Sequence, residues 1–155
     1  MKIGIIIYSL SGHTREVAEK LKSKLAEGGH LVAIDEITIS GKTPAQPGNF
    51  KLLTVPSPLD YDAVILGSPV QAFSLHPVLK AYLEKLPPLN GKKTAIFVTK
   101  QLPLLWTGGT GSIATIKKAL EQRGGKVLGP SIVVWSEAKR EAAKKKCIDH
   151  LSRIF

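Results

Sequence analysis

Unbroken apolar runs recur along this chain with helically spaced segments between them, and that order restricts the fold more than any other feature. A strand buried on one face alternates apolar and polar residues, whereas one buried on both reads as a continuous block, as in a parallel sheet with helices on each side. The blocks predict strands over 2–8, 31–37, 63–67, 94–99 and 127–135. Between them, a helix over 14–27 carries Val17, Ala18, Leu21 and Leu25 on one face and ends at Gly28-Gly29. A helix over 75–86 presents Val78, Leu79, Tyr82, Leu83 and Leu86 and stops at Pro87-Pro88. A third turns Ile113, Ile116 and Leu120 inward. The last, over 137–154, places Ala143, Cys147, Leu151 and Ile154 on one side and its basic residues on the other. Residues 40–59 include Pro44, Pro47, Pro56 and Pro58, which predicts a covering loop without a regular helix. The expected fold is α/β, a doubly wound five-stranded parallel sheet in three layers, forming one domain over 1–155. Ligands of such sheets lie beyond the carboxyl ends of the strands, which nominates the loops 9–14, 68–74 and 100–111.

At 155 residues the chain has the length of one domain able to bury a core. Its single cysteine, Cys147, forms no internal disulfide and supplies no thiolate cluster, so a reducing, cytoplasmic setting is the expectation. The apolar stretch 3–10 is too short to cross a bilayer and runs into Ser11-Gly12-His13-Thr14 without a cleavage site, so no membrane association is expected. Lysine and arginine number 22 against 12 acidic residues, and the resulting +10 favours anionic partners. Aromatic residues make up 6% and no basic strip interleaves with them, which argues against a nucleic-acid surface. His13, His30, His76 and His150 lie far apart without metal-ligand spacing, so no metal site is expected.

Directly after the first strand comes Ser9-Leu10-Ser11-Gly12-His13-Thr14, with a helix starting at its far end. Hydroxyls and free backbone N–H groups converging on a helix N-terminus suit a phosphate, and glycine permits close approach or a positive φ. The other reading is that Ser11 or Thr14 caps the helix. Gly109-x-Gly111-x-x-Ala114 formally fits a relaxed dinucleotide fingerprint but lacks the acidic residue about twenty positions on. Gly41-Lys42-Thr43 has Glu36 where a triphosphate loop needs glycine.

The segment Ser9, Ser11, Gly12 and Thr14 resembles the flavodoxin signature. The resemblance continues through Tyr61-Asp62-Ala63-Val64-Ile65-Leu66-Gly67-Ser68-Pro69-Val70, through Trp106-Thr107-Gly108-Gly109, and into the last helix. It implies a flavodoxin-like fold in which residues 9–14 (Ser9, Leu10, Ser11, Gly12, His13, Thr14) grip the phosphate of flavin mononucleotide (FMN). The first ring-flanking loop would be Ser68, Pro69, Val70, Gln71, Ala72 and Phe73, with Phe73 either reaching the ring or plugging the core. The second would draw on Thr99, Lys100, Trp106, Gly108 and Gly109, with Trp106 either covering the ring or packing inside, and its glycines letting backbone approach the flavin. The chain departs from the electron-carrier flavodoxins in having Lys100 and Trp106 there, with no tyrosine or carboxylate over 100–111, and is similar to a branch with a Trp-x-Gly-Gly element.

The resemblance implies an FMN flavoprotein that transfers electrons, with the flavin supplying the chemistry and no side chain acting as a catalytic acid or nucleophile. Two alternatives stay open: a reductase drawing on a reduced nicotinamide and serving a quinone or similar small acceptor, and a module that keeps the fold without the cofactor. The expected partner is a redox protein or nicotinamide donor of acidic or anionic character, and the expected state is monomer or homodimer.

Overall fold

The computed structural model describes residues 1–10, 12–41, 48–71, 74–100, 109–135 and 139–155, with the backbone alone at Gln71. In chain order the elements are β1 (Lys2–Ile7), α1 (His13–Glu27), β2 (Leu31–Glu36), β3 (Thr38–Gly41), β4 (Phe50–Thr54), a short 3-10 turn (Pro58–Asp60), β5 (Ala63–Gln71), β6 (Ser74–Leu75), α2 (Pro77–Glu84), β7 (Lys93–Lys100), α3 (Gly109–Gln122), β8 (Lys126–Val134) and α4 (Arg140–Ser152). Five strands pair in parallel in the order β2-β1-β5-β7-β8. Both sheet faces are covered, which is why these strands lack polar alternation.

Each face has its own core. Ile3, Ile5 and Ile7 of β1 lie with Val17, Ala18, Leu21 and Leu25 of α1 and Cys147 and Leu151 of α4. On the opposite face, Ile6, Val64, Leu66, Ile96 and Val98 meet Val78, Leu79, Tyr82 and Leu83 of α2 and Ile116 and Leu120 of α3. Two glycines keep the strands close to large rings. A side chain at Gly4 would run into the Tyr61 ring, and one at Gly67 into the Phe97 ring on the other face. The Cys147 thiol is fully buried, and desolvation pushes it up to about 11.

The region expected to be a covering loop contains more structure than that. β3 and β4 form a separate antiparallel hairpin, and Ile39, Phe50 and Leu52 pack on the same core as α2 and α3. The hairpin thus fills the layer that a crossover helix would occupy between β2 and β5. β3 ends before Pro44 and β4 lies between Pro47 and Pro56, so the prolines rule out a helix without ruling out strands. β5 also outruns the predicted strand. It continues to Gln71 because Val70 and Gln71 pair with β6, and Pro69 still pairs with Thr99 of β7. Among the described residues, no helix is long and apolar enough to cross a membrane.

Candidate functional site

The parallel sheet reverses its winding between β1 and β5: β1 leads out to the edge strand β2, while β5 leads the other way to β7. Crevices at such switch points are where sheets of this kind hold ligands. The β1–α1 connection lies there. α1 is helical by the spacing of Val17, Ala18, Leu21 and Leu25, but its beginning is unusual. Its N-cap is Gly12 at φ +88, and no side chain at that position closes the helix. Glycine alone adopts that conformation without strain. Among the described residues, a Cβ there would find nothing within 4 Å. The Gly12 carbonyl accepts from Glu16 N at 2.9 Å, which sets the first turn.

Two loop hydroxyls have identifiable roles. Ser9 Oγ accepts from Arg15 N at 3.3 Å, and Thr14 Oγ1, buried, pairs with the buried Thr99 Oγ1 at 3.0 Å. The Thr14 hydroxyl therefore ties α1 to β7 and does not cap the helix, as one reading of the sequence had it. Ser9 is the residue whose hydroxyl receives a first-turn N–H. Leu10 stands exposed at the crest.

A group that sequence reasoning missed surrounds His13. Its imidazole stacks on Trp135, just beyond β8, with ring centroids 4.1 Å apart and planes 13° from parallel. Lys144 Nζ of α4 lies 5.0 Å from the centre of the same indole. Lys144, expected on the basic solvent face, is only 3% exposed and bridges Glu141 at 2.7 Å and Glu16 at 3.3 Å. The hydrogen bond that Lys144 donates to Glu141 holds its ammonium above the ordinary pKa, with Glu16 adding to the effect. Desolvation lowers the His13 imidazole; Arg140 and Lys144 add to this, while Glu16 opposes it.

On the β5 side, Ser68, Pro69, Val70 and Gln71 belong to the strand and not to a loop. Ser68 is buried and its Oγ donates to its neighbour Pro69 O at 3.0 Å. After β6 comes His76, 1% exposed, whose Nδ1 accepts the Val78 N–H at 3.2 Å and so caps α2. The accepting nitrogen carries no proton, so the neutral ring has its proton on Nε2, which is buried and has no hydrogen-bond partner among the described residues. The ring lies 4.6 Å from that of Tyr8, and desolvation pulls its pKa down to about 4.

At the end of β7, Lys100 is buried and desolvation lowers its ammonium below the ordinary value. A Cβ on Gly109 would come within 3.1 Å of Lys100 Cδ and 3.2 Å of Ile132 Cδ1. The glycine therefore makes room for a lysine stem inside the protein, where the sequence had suggested room for a ligand. Ser112 Oγ, in the first turns of α3, is buried and has no hydrogen-bond partner among the described residues. Ser11, Ala72, Phe73, Trp106 and Gly108 lie outside the described residues, as does the Gln71 side chain. Among the described residues, no group of three or more histidine, cysteine, aspartate or glutamate side chains could hold a metal ion.

The donor set at the β1–α1 junction fits a phosphate: an open glycine cradle at a helix start, a serine at its edge, and no carboxylate from Ser9 to Thr14. The one acidic residue in the first turn, Glu16, is paired with Lys144.

No family model matches the chain, and no curated protein does. Solved structures do. Flavodoxin 1 from Bacillus cereus is 20% identical with a TM-score of 0.70, over 99% of this chain and 97% of that one. Flavodoxin 2 from the same organism is 24% identical with a TM-score of 0.69, over the same shares. The Trp repressor binding protein from Bacillus subtilis is 15% identical with a TM-score of 0.71 over the whole of both chains.

Proposed function

The chain has a flavodoxin-like fold, and from it we propose that the protein binds FMN and transfers electrons through it. The observation that supports this reading best is the start of α1. Gly12 at φ +88 has no described atom within 4 Å of where a Cβ would stand, and it lies at the switch point of the sheet, where an anion meets backbone N–H groups and the positive end of the helix dipole. The bound flavin would supply the one- or two-electron chemistry. The protein's part is to bind and orient. Gly12 and the first turn of α1 take the phosphate, Ser9 braces the loop, and the Thr14–Thr99 bond fixes the distance between the β1 and β7 ends of the crevice. The net charge of +10 suits an acidic redox partner or an anionic reductant.

The test is reconstitution. Purified protein is titrated with FMN, riboflavin and flavin adenine dinucleotide, and any co-purifying flavin is released by heat and separated. FMN should bind most tightly, and the released flavin should be the mononucleotide. Failure of all three flavins to bind would sink this reading, and preferential binding of the dinucleotide would replace the cofactor.

A further inference from the structure

Glu16 is a puzzle in a helix start that receives phosphate. It sits in the first turn of α1, where its carboxylate competes for the same positive helix end and repels an incoming anion. The structure shows how that charge is covered. Lys144 reaches from α4 across 128 positions of sequence to place Nζ 3.3 Å from Glu16 Oε1, while Lys20 Nζ approaches the same oxygen at 3.8 Å. Lys144 is nearly sealed from solvent and held from three sides, by Glu16, by Glu141 at 2.7 Å and by the Trp135 indole. That indole in turn carries the stacked imidazole of His13, the residue after Gly12. Only the ammonium of this pair is buried; the Glu16 carboxylate keeps contact with solvent, so salt should weaken the pair in part.

We propose that Lys144 of α4 is a specificity-determining residue for the ligand's terminal phosphate, acting by covering the Glu16 charge at the start of α1 and steadying Trp135 beneath His13. This rests on the reading that α1 receives the phosphate of FMN. Lys144 is a positioning residue here and need not touch the ligand. Removing its charge leaves Glu16 facing the anion with only the more distant Lys20, so a phosphorylated flavin should suffer and an unphosphorylated one should not.

The experiment compares wild type, Lys144→Met, Glu16→Gln and the double variant by titration with FMN and with riboflavin, each protein first checked for native circular dichroism and melting. Lys144→Met should weaken FMN by about tenfold or more and riboflavin by less than about threefold. The double variant should recover FMN binding to within about threefold of wild type, because the uncovered carboxylate is gone. Equal losses for both flavins in Lys144→Met, or no rescue by Glu16→Gln, would overturn the proposal and leave Lys144 a packing residue. Should Lys144→Met fail to fold, Lys144→Arg and Lys144→Gln carry the comparison, with arginine expected to retain the FMN preference and glutamine to lose it. Inorganic phosphate titrated against the His13 imidazole resonance separates this idea from the flavin reading. If wild type binds no flavin but phosphate shifts His13, and does so more weakly in Lys144→Met, the charge-covering role stands alone; no shift at His13 in wild type removes it.

Discussion

α1 and α2 both begin at the carboxyl edge of the sheet, yet α1 opens on Gly12 at φ +88, which has no side chain to cap with and leaves Ser9 Oγ of the preceding loop to take the Arg15 N–H at 3.3 Å, whereas α2 opens on His76, whose own Nδ1 takes the Val78 N–H. A side chain capping from the N-cap position is worth about 1 kcal/mol, so a left-handed glycine there forgoes part of the stability that α2 secures. The contrast separates a helix end left available to a ligand from one closed for the sake of the fold. Proline reinforces the closed end, since Pro77 occupies the first position of α2 and has no N–H to satisfy.

The comparison breaks most readily at Gly12. In Gly12→Val the added Cβ meets no atom of the described residues, so the fold should survive with a loss of about 1–2 kcal/mol from the positive φ. Its branched side chain would fill the space the phosphate needs, and FMN affinity should fall about a thousandfold, roughly 4 kcal/mol. Flavin titration beside thermal melting checks both halves; unchanged affinity would put the phosphate elsewhere.

The closed end should show itself in acid. A histidine held neutral down to about pH 4 binds fewer protons folded than unfolded in the window between there and its ordinary 6.5. Stability should therefore fall as pH drops through that window, by about 3 kcal/mol, and level off below it. His76→Asn retains a capping side chain without the titration, so urea unfolding from pH 7 to pH 4 should reveal a smaller acid loss in the variant. Parallel curves for the two proteins would mean that His76 titrates freely.

Next comes the Thr14–Thr99 bond. Thr14→Ala leaves the Thr99 hydroxyl buried without its partner and should cost about 1–3 kcal/mol of stability, while Thr14→Val with Thr99→Val should cost less than the sum of the single changes. Denaturant melts of wild type, Thr14→Val, Thr99→Val and the double variant give the coupling, and additivity would mean that the two hydroxyls do not interact.

The smallest effect concerns Lys100. One charge about 10 Å from a flavin ring contributes on the order of 0.4 kcal/mol in water-like surroundings, about 18 mV for one electron. Lys100→Met should lower the flavin potential by roughly that amount or more, since Lys100 is buried and salt screens it poorly. Potentiometry at two salt concentrations checks this, and a raised potential would place the lysine away from the ring.

The five-stranded layout was legible because continuous apolar blocks are hard to read any other way, and α1 was legible because its inward residues keep helical spacing. The β3–β4 hairpin was not. Its strands are four and five residues long, and surrounding prolines and glycines mask their pattern. In the site, local signals carried Gly12 and the serine- and threonine-rich loop. Nothing local connected Glu16 with Lys144 or His13 with Trp135, because these contacts exist only once α4 lies against α1. Lys144 even falls beside the apolar stripe of α4, next to Ala143 and one turn before Cys147 and Ile148, where a charge is read as solvated by default.

The buried thiol of Cys147 offers a clock for the part of the molecule that bears Lys144. With its pKa near 11, only about one molecule in ten thousand carries the thiolate at neutral pH, and no reagent reaches it while α4 is seated. Alkylation at this one sulfur therefore counts the occasions on which α4 lifts from the sheet, without any label being introduced. A ligand that engages α1, and through Glu16 the ammonium of α4, would slow that count, so mass spectrometry of a single native cysteine can report occupancy more than a hundred residues away in sequence.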